Sequence, residues 1–455
     1  MFSALLNSFK VKELQKRMLF TFGIIVLCRF AANIPTPGVD PVALDAYFNQ
    51  LASGSGGGMM NMFNLFSGGA LQKFAIATLG VMPYISASII IQLMTPVIPS
   101  LEKLRREGEH GRAKITNYTR YLTVIICLFQ GVGAALAMVD PSRIPGLRVP
   151  SSPLVVADET TFVIMTTIIL TCTTMVYMWL GEQITDKGIG NGVSLIITIN
   201  IIARLPNAVM RLYEQITTGQ TLSGQPFRPV HLFILILLFV GVTAATIILT
   251  QGQRRVPIQM ARRAVAGGKI DGGTTYMPLK VNFAGVMPII FAQPILMVMS
   301  AILSSEYLSW TGLAAYFSYR SPSYMLIYAV IIILFTYFWV ANQFNPIQIA
   351  DNLKREGAYI PGVRPGEPTA MFLDNTMSRI TLVGAIFLTA LAIFPMVIAM
   401  PSVMDLDFII AQFFGGTSLL IMVGVVLDTL TQMEAHVVMQ NYDGFLSKGR
   451  LRGRA

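Results

Sequence analysis

Histidine, cysteine and acidic side chains are the usual groups of catalytic and metal sites, and in this sequence they are scattered. The histidines lie in three separate segments, at His110, His231 and His436. The cysteines each fall inside an apolar run, which is typical of small buried side chains, at Cys28, Cys127 and Cys172. The sequence therefore predicts no disulfide framework, metal site or catalytic centre. We expect no cofactor and no enzymatic activity.

Two glycine-rich runs resemble nucleotide-binding loops but lack their context. The run GGKI at 267–270 has neither the upstream glycine nor the Ser or Thr after the lysine of a Walker A loop. The run GIGNG at 188–192 follows an apolar segment rather than a strand, so it favours a glycine-rich turn at the entry to a helix. We therefore expect no ATP site.

The composition indicates where these residues lie. Charged residues make up 12% of the 455 residues, about half the roughly 25% of soluble globular chains, and the mean hydropathy is +0.62. A disordered or nucleic-acid-binding chain would carry more charge and fewer large apolar residues. The composition predicts a membrane protein.

Ten apolar runs have about the length of 20 residues that crosses a bilayer core. The first follows basic residues, as a signal peptide does, but Arg29 interrupts it and no cleavage pattern follows, so we predict a retained helix. The fifth is the weakest, and its end could lie several residues further on. The predicted spans are 18–35, 74–99, 121–139, 161–181, 188–205, 231–250, 281–304, 324–344, 378–400 and 408–433.

The distribution of charge predicts the orientation of these spans. With the amino terminus in the cytosol, 25 of the 33 basic residues fall in cytosolic segments and 7 in external ones. The acidic residues divide as 13 and 9, so the cytosolic side carries the positive excess that multi-pass proteins show. Both termini are then cytosolic. The predicted organisation is a cytosolic segment 1–17, a first half 18–205, an external connection 206–230, a second half 231–433 and a cytosolic tail 434–455.

The two halves carry a repeated motif in opposite predicted orientations. Each has five spans, and the second span of each half contains the tetrapeptide GVMP, at 80–83 and 285–288. Matching Gly/Pro-interrupted helices in opposed halves indicate a central pathway between the halves, although the match can also arise by chance. Arg29 and Asp428 are charged residues inside the predicted spans, and a structural role is favoured for both. Aliphatic side chains around the GVMP helices are typical of a hydrophobic gate.

A glycine-rich external stretch at 53–58 leads into the segment MFNLFSGG at 62–69, which is too short to span a bilayer. An interfacial helix is one interpretation. A short element folded back into the pathway is the other, because irregular backbone is tolerated where it is buried in protein.

Long motifs identify the family that the chain resembles. They include NLFSGGAL at 64–71, GVMPYISASIIIQL at 80–93, MWLGEQITDKGIGNGVS at 178–194, PLKVNFAGVMPIIFA at 278–292 and ADNLKREGAYIPGVRPGE at 350–367. IPTPGVD at 34–40, GEHGRAKITNYTRY at 108–121 and FGGTSLLI at 414–421 complete the series. In the order of these motifs and in its predicted topology, the chain closely resembles the SecY family. Members of this family form the central subunit of the bacterial Sec protein-translocation channel.

The resemblance implies an all-α polytopic membrane protein with ten transmembrane helices in two inverted five-helix halves around a central pore. It places a lateral gate between the second and third spans and the seventh and eighth, with Gln92 and Asn282 as its polar residues, for which hydrogen bonding without a gating role remains an alternative. It also implies a plug near 61–72, formed by Phe63, Asn64, Leu65, Phe66, Ser67, Gly68 and Gly69. The implied aliphatic pore ring consists of Val81, Ile85, Val193, Ile197, Ile290 and Ile421, with two valines where isoleucine is common in the family.

The cytosolic loops 251–280 and 345–376 are the implied docking sites for a translating ribosome or a SecA-type motor ATPase. The first loop carries six basic residues against one acidic residue, an excess that a topology signal alone also explains. The residues implied in docking are Arg254, Arg255, Arg262, Arg263 and Arg364. The resemblance further implies SecE-like and SecG-like membrane subunits and a place in the bacterial plasma membrane.

The expected function is passive conduction of unfolded secretory polypeptides through the ring and lateral release of apolar segments into lipid. A signal sequence would open the gate, and the ribosome or motor would supply the energy. A secondary transporter for a small solute also fits ten spans and an inverted repeat, but the near absence of charge inside the spans disfavours it. A membrane-embedded enzyme is disfavoured because the spans lack a catalytic constellation.

Overall fold

Helices joined by short connections make up most of the computed structural model. In a bilayer, no water is available to the backbone, so the N–H and C=O groups of a span must bond within its own helix. The structure describes residues 12–52, 64, 67–141, 153–219, 229–260, 263–264, 270–271, 274–303, 321–400, 406 and 408–448.

The helices of the described residues are numbered here in chain order. The first eight are α1 (Lys12–Ala31), α2 (Pro41–Ala52), α3 (Met82–Met94), α4 (Pro99–Arg106), α5 (Glu109–Val139), α6 (Glu159–Lys187), α7 (Gly192–Ile202) and α8 (Leu205–Thr218). The others are α9 (Pro229–Gln251), α10 (Met287–Leu303), α11 (Pro322–Gln343), α12 (Pro346–Arg355), α13 (Glu367–Ile398), α14 (Phe408–Gly415) and α15 (Thr417–Lys448).

The described helices form a polytopic membrane protein. Seven segments are long and apolar enough to cross a bilayer, counting α7 with α8, α11 with α12 and α14 with α15 as single spans. An eighth is added if α3 and α4, which are bent by 101° at their junction, form one span. Each of the ten predicted spans overlaps at least one of the helices. The helical class is as expected.

The second and seventh spans begin later than predicted. Both were expected to start upstream of the GVMP motif, at 74 and 281, but helices α3 and α10 begin at Met82 and Met287 inside it. Turns and bends occupy the preceding apolar residues instead. Hydropathy marks apolar segments whether or not they are helical, so it could not locate these starts.

Other helices extend beyond the predicted limits of their spans, most of all in the third, ninth and fifth spans. The third begins at Glu109 rather than 121, and the ninth at Glu367 rather than 378, because their helices continue through polar residues. The fifth span was predicted to end at 205, but a helix resumes at Leu205 and ends at Thr218. The first part of the predicted connection 206–230 is therefore helical.

The chain divides into two compact units. Unit 1 comprises Met1–Met210 with Val425–Ala455, and unit 2 comprises Arg211–Gly424. In unit 1, one apolar cluster surrounds Phe74 and Phe162, and another surrounds Tyr177 and Ile196. In unit 2, the larger cluster joins α9, α10, α11 and α13, and includes the fully buried Tyr328.

A small antiparallel sheet connects the two predicted docking loops within unit 2. Strands β1 (Gln253–Met260) and β4 (Thr274–Lys280) belong to the first loop, and β5 (Ala358–Tyr359) belongs to the second. The strand order is β4-β1-β5, so β1 is central. A second, two-stranded sheet pairs β2 (Arg263–Ala264) with β3 (Ile270–Asp271).

Candidate functional site

The two GVMP motifs adopt the same local structure. Gly80 and Gly285 both have positive φ, +53° and +63°, a conformation that glycine adopts without steric cost. In both motifs the proline is the second residue of the helix, where its missing N–H leaves no bond unmade. The repeated sequence therefore forms a repeated turn and helix start, once in each unit.

The predicted pore-ring residues are mostly buried. In unit 1, Val81 and Ile85 lie at the start of α3, and Ile197 lies on α7; all three side chains are buried, whereas Val193 is partly buried. Val193 packs beside Val81 in the apolar cluster around Tyr177. In unit 2, the buried residues are Ile290 on α10 and Ile421 on α15.

The described part of the predicted plug is a hydrogen-bonded turn. Asn64 and Ser67 are both buried, and the amide of Gly69 donates to the carbonyl of Asn64 at 3.0 Å. The side-chain oxygen of Asn64 accepts from the amide of Gln72 at 3.2 Å, and the hydroxyl of Ser67 accepts from the amide of Leu71 at 3.2 Å. Three predicted plug residues lie outside the described residues: Phe63, Leu65 and Phe66.

The segment after the plug is fixed against the end of α1. The amide of Thr36 donates to the carbonyl of Phe74 at 3.0 Å, and the amide of Ile76 donates to the carbonyl of Ile34 at 2.9 Å. Phe74 has a positive φ of 41°, which is unfavourable for a bulky residue. Its fully buried ring stacks on Phe162 at 6.4 Å between centroids, and this packing offsets the strain.

A charged side chain from the first predicted span contacts the plug segment. A guanidinium N–H of Arg29 (Nη1) donates to the carbonyl of Gly68 at 3.1 Å and to Oδ1 of Asn200 at 3.4 Å. The sequence had indicated a structural role for Arg29 because of its place in a span. Asn200 was missed, because a single amide in an apolar helix gives no signal without knowledge of the fold.

The two predicted lateral-gate residues have different environments. Gln92 is exposed on α3, and its amide donates to the hydroxyl of Ser88 in the same helix at 3.1 Å. Asn282 precedes α10, and its buried Oδ1 has no hydrogen-bond partner among the residues that the structure describes. A buried hydrogen-bond acceptor without a donor lowers the stability of the conformation in which it occurs.

The predicted docking arginines are exposed where the structure describes them. Arg254 and Arg255 lie on β1 opposite Leu279 and Pro278 of β4. Arg364 is exposed in the second loop, and its carbonyl accepts from the hydroxyl of Thr369 at 2.8 Å. Arg262 lies outside the described residues, and of Arg263 only the backbone is described.

Groups that would support catalysis or metal binding are not clustered in the described part of the chain. These residues contain no group of three or more His, Cys, Asp or Glu side chains that could hold a metal ion. Asp428 is exposed and accepts from Gln432 in its own helix at 3.2 Å.

Comparison with protein families and curated sequences gives a consistent result. The SecY family model matches residues 75–430. The protein translocase subunit SecY of Chlamydia trachomatis is 41% identical over 453 residues, which cover 98% of each chain. The SecY subunit of Escherichia coli K12 is 40% identical over 449 residues, which cover 97% of this chain and 96% of that one.

Solved structures share the fold. A structure described as that of a protein conducting channel has a TM-score of 0.60 at 16% identity and covers 93% of both chains. A structure described as showing that the plug domain of the SecY protein stabilises the closed state has a TM-score of 0.58 at 17% identity and the same coverage. The idle yeast Ssh1 complex bound to the 80S ribosome has a TM-score of 0.52 at 14% identity and covers 94% of this chain and 89% of that chain.

Proposed function

The chain belongs to the SecY family of protein translocase subunits, and from this premise we propose how its residues conduct a polypeptide and close the pore. It is a multi-pass membrane protein and the channel subunit of a translocase, not an enzyme. Unfolded secretory polypeptides cross through an aliphatic ring, and apolar segments leave sideways into lipid. The ring consists of Val81, Ile85, Val193, Ile197, Ile290 and Ile421.

One observation carries the proposal of a plug that closes this ring. Ala70, at the end of the plug segment, is fully buried in the same apolar cluster as Val81 and Val193, two of the ring residues of unit 1. A narrow aliphatic ring excludes water. An ion that crosses it must lose its hydration shell, so the ring is a barrier to ions. The plug thus rests on the ring, and its displacement exposes the pathway.

The ring suits a varied substrate. Aliphatic side chains offer neither charge nor hydrogen-bonding groups, so no side chain of the passing polypeptide binds strongly. A signal sequence enters at the lateral gate beside Gln92 and Asn282 and displaces the plug. About 20 apolar residues of a membrane segment are more stable in the bilayer than in the pore, which drives their release.

The energy for transport comes from partners on the cytosolic side. The exposed arginines of the two sheet-forming loops suit the phosphates of ribosomal RNA or an acidic surface of a SecA-type motor. We place the protein in the bacterial plasma membrane with both termini in the cytosol, in complex with SecE-like and SecG-like subunits. The positive charge of the cytosolic segments supports this orientation.

The test is a reconstituted translocation reaction with crosslinking. The purified chain is inserted into vesicles together with SecE-like and SecG-like subunits. A SecA-type motor, ATP and a precursor are then added. A photo-crosslinker at Ile85 or Ile290 reports contact with the precursor. Matched controls carry the crosslinker at Ile168 or Ile248, which are 55% and 70% exposed on the outer surface of α6 and α9.

Protease-protected precursor that crosslinks at Ile85 and Ile290, but not at the control positions, is the expected result. No protection in vesicles where a control channel works would contradict the proposed function. Solute uptake that depends on Asp428 and is lost in Asp428→Asn would instead support a secondary transporter.

A further inference from the structure

Arg29, Gly68 and Asn200 form one hydrogen-bonded contact between parts of unit 1 that are distant in sequence. Arg29 lies on α1, Gly68 in the plug segment and Asn200 on α7, and Asn200 is 171 residues from Arg29. Arg29 donates to both of the others, at 3.1 Å and 3.4 Å. The plug is therefore attached to two helices through a single guanidinium group.

The position of Arg29 in the first predicted span has a functional implication. A charged side chain inside a membrane segment is costly, and such residues usually act on a pathway or its gate. The two hydrogen-bonding partners of Arg29 are neutral oxygens, and a hydrogen bond from a charged donor is stronger than one between neutral groups. Arg29 thus binds the plug backbone more strongly than a neutral side chain of similar size would.

The position of Arg29 is fixed by bonds to its own backbone region. The hydroxyl of Tyr177 donates to the carbonyl of Cys28 at 2.5 Å, which ties this turn of α1 to α6. The side-chain amide of Asn33 donates to the carbonyl of Arg29 at 2.9 Å, and Asn33 in turn accepts from Lys73 at 2.9 Å. The backbone from which the Arg29 side chain extends is therefore fixed before the guanidinium binds the plug, which lowers the entropic cost of the contact.

Gly68 fits this contact because it lacks a side chain. A Cβ at Gly68 would lie 2.5 Å from Nη1 of Arg29 and 2.9 Å from Oδ1 of Asn200. Gly69 also has a positive φ, +92°, but a Cβ there would meet no atom within 4 Å. Both glycines therefore adopt a positive φ that favours glycine. Of the two, only Gly68 is in contact with Arg29 and Asn200.

The helix that supplies Asn200 also carries two residues of the proposed pore ring. Val193, Ile197 and Asn200 are spaced i, i+4 and i+7 along α7, which places them on one face of the helix. A plug held at Asn200 is thus held along the same helix face that lines the proposed ring.

We infer that Arg29 and Asn200 form a latch that holds the plug in the sealed position through the carbonyl of Gly68. This inference depends on the proposed channel function and adds to it a contact that controls opening. Opening requires the hydrogen bond from Arg29 to the carbonyl of Gly68 to break, and Asn200 orients the guanidinium group for that bond, so the latch sets how strong a signal sequence must be to open the pore. Arg29 and Asn200 are positioning residues that do not need to touch the substrate.

The test measures sealing separately from transport. Vesicles of bacterial phospholipid containing the complete channel complex are assayed for ion flux without substrate, and then for ATP-dependent protection of a normal precursor and of one with a weakened signal sequence. The variants are Arg29→Met, Arg29→Lys, Asn200→Ala, Gly68→Ala and, as the matched control, Gly69→Ala.

Arg29→Met, Asn200→Ala and Gly68→Ala are expected to raise the idle ion flux about tenfold, the effect of losing one charge-assisted hydrogen bond. They should also admit the precursor with the weakened signal while transporting the normal one as before. Arg29→Lys keeps a charged donor and should partly restore sealing. Gly69→Ala carries the same backbone strain of a positive φ but no clash, so it should leak clearly less than Gly68→Ala.

The outcomes separate the latch from the channel function. If the unmodified complex transports no precursor, the channel function fails. If it transports, and Arg29→Met and Asn200→Ala seal normally, the latch is wrong. Equal leakage from Gly68→Ala and Gly69→Ala would also overturn it, because backbone strain alone would then explain both. If Arg29→Met does not fold, Asn200→Ala and the glycine pair decide the question.

Discussion

Ile85 and Ile290 occupy the same place in two copies of one helix start. The amide of Ile85 donates to the carbonyl of Val81 at 3.1 Å, and the amide of Ile290 donates to the carbonyl of Val286 at 3.2 Å. Both side chains are buried to the same extent, with 7% exposed. Because the two residues are equivalent by sequence, by backbone bonding and by burial, they should contribute equally to a common task.

Replacing either isoleucine should therefore have matching effects. Ile85→Ala and Ile290→Ala each shorten a ring side chain, and we expect both to raise idle ion flux through reconstituted channels by similar factors. Each also costs about 2–4 kcal/mol of stability as a buried truncation, so the folded fraction must be measured alongside. Ile168→Ala, at an exposed site, is the control. Leakage from only one of the pair would show that the equivalence is confined to the backbone.

The turns before these helices should depend on glycine for backbone reasons alone. Gly80→Ala and Gly285→Ala should each lower the free energy of unfolding by about 1–2 kcal/mol, since an added Cβ is strained at positive φ. A Cβ at Gly285 meets nothing within 4 Å, and one at Gly80 meets only a carbonyl oxygen at 3.8 Å, so no clash contributes.

Thermal unfolding in detergent measures this cost. Asparagine at either position should be tolerated better than alanine, because it adopts positive φ more readily. Gly241, a helical glycine of α9 with open space around it, provides the control, and Gly241→Ala should be neutral or stabilising. A loss at Gly241 as large as at Gly80 would contradict the explanation from φ.

The exposed arginines of β1 should determine binding to the cytosolic partner. Arg254→Glu and Arg255→Glu are expected to weaken binding of the ribosome or motor without unfolding the sheet, because both side chains are exposed. If an arginine contacts RNA phosphate, its loss should reduce the salt dependence of binding by about one unit of log–log slope. Binding measured over a salt series tests this. Arg112→Glu, an exposed arginine on α5, is the control and should leave binding unchanged.

The buried amide oxygen of Asn282 should make the closed gate less stable than it could be. Asn282→Leu keeps a similar volume and removes the unpaired acceptor, so we expect it to stabilise the resting state by about 1–3 kcal/mol. Opening by a signal sequence should then be slower, as measured by the rate of precursor protection.

Gln92→Leu gives the comparison for Asn282→Leu. Gln92 is already hydrogen-bonded to Ser88, so its replacement should change the rate little. Faster translocation by Asn282→Leu would mean that the amide has no destabilising effect on the resting gate.

The helix starts at Met82 and Met287 illustrate a limit of prediction from sequence. Hydropathy found both apolar segments, and the repeated GVMP indicated that they are related. Neither observation revealed that residues 74–81 form turns, because these turns are fixed by tertiary contacts. Phe74 and Ile76 form backbone hydrogen bonds with Thr36 and Ile34. A residue held by a partner across the fold cannot be located from its own neighbours in the sequence.

Arg29 illustrates the same limit at the candidate site. A charge within an apolar span indicated that the residue matters, and the plug segment was identified by family resemblance and by its short length. Their contact, and the role of Asn200, depend on how α1, α7 and the plug meet in space. The ring residues themselves were predicted from the family motifs, since composition indicated only that an aliphatic gate was possible.

The small sheet has a mechanical consequence. Strand β1 continues from α9, β4 leads toward α10, and β5 lies between α12 and α13, so one set of hydrogen bonds joins the ends of four helices. A pull on either loop is shared with the other through the pairs Gln259–Tyr359 and Met260–Ala358. A partner that binds one loop would therefore transmit force through the sheet to several helices of unit 2 at once.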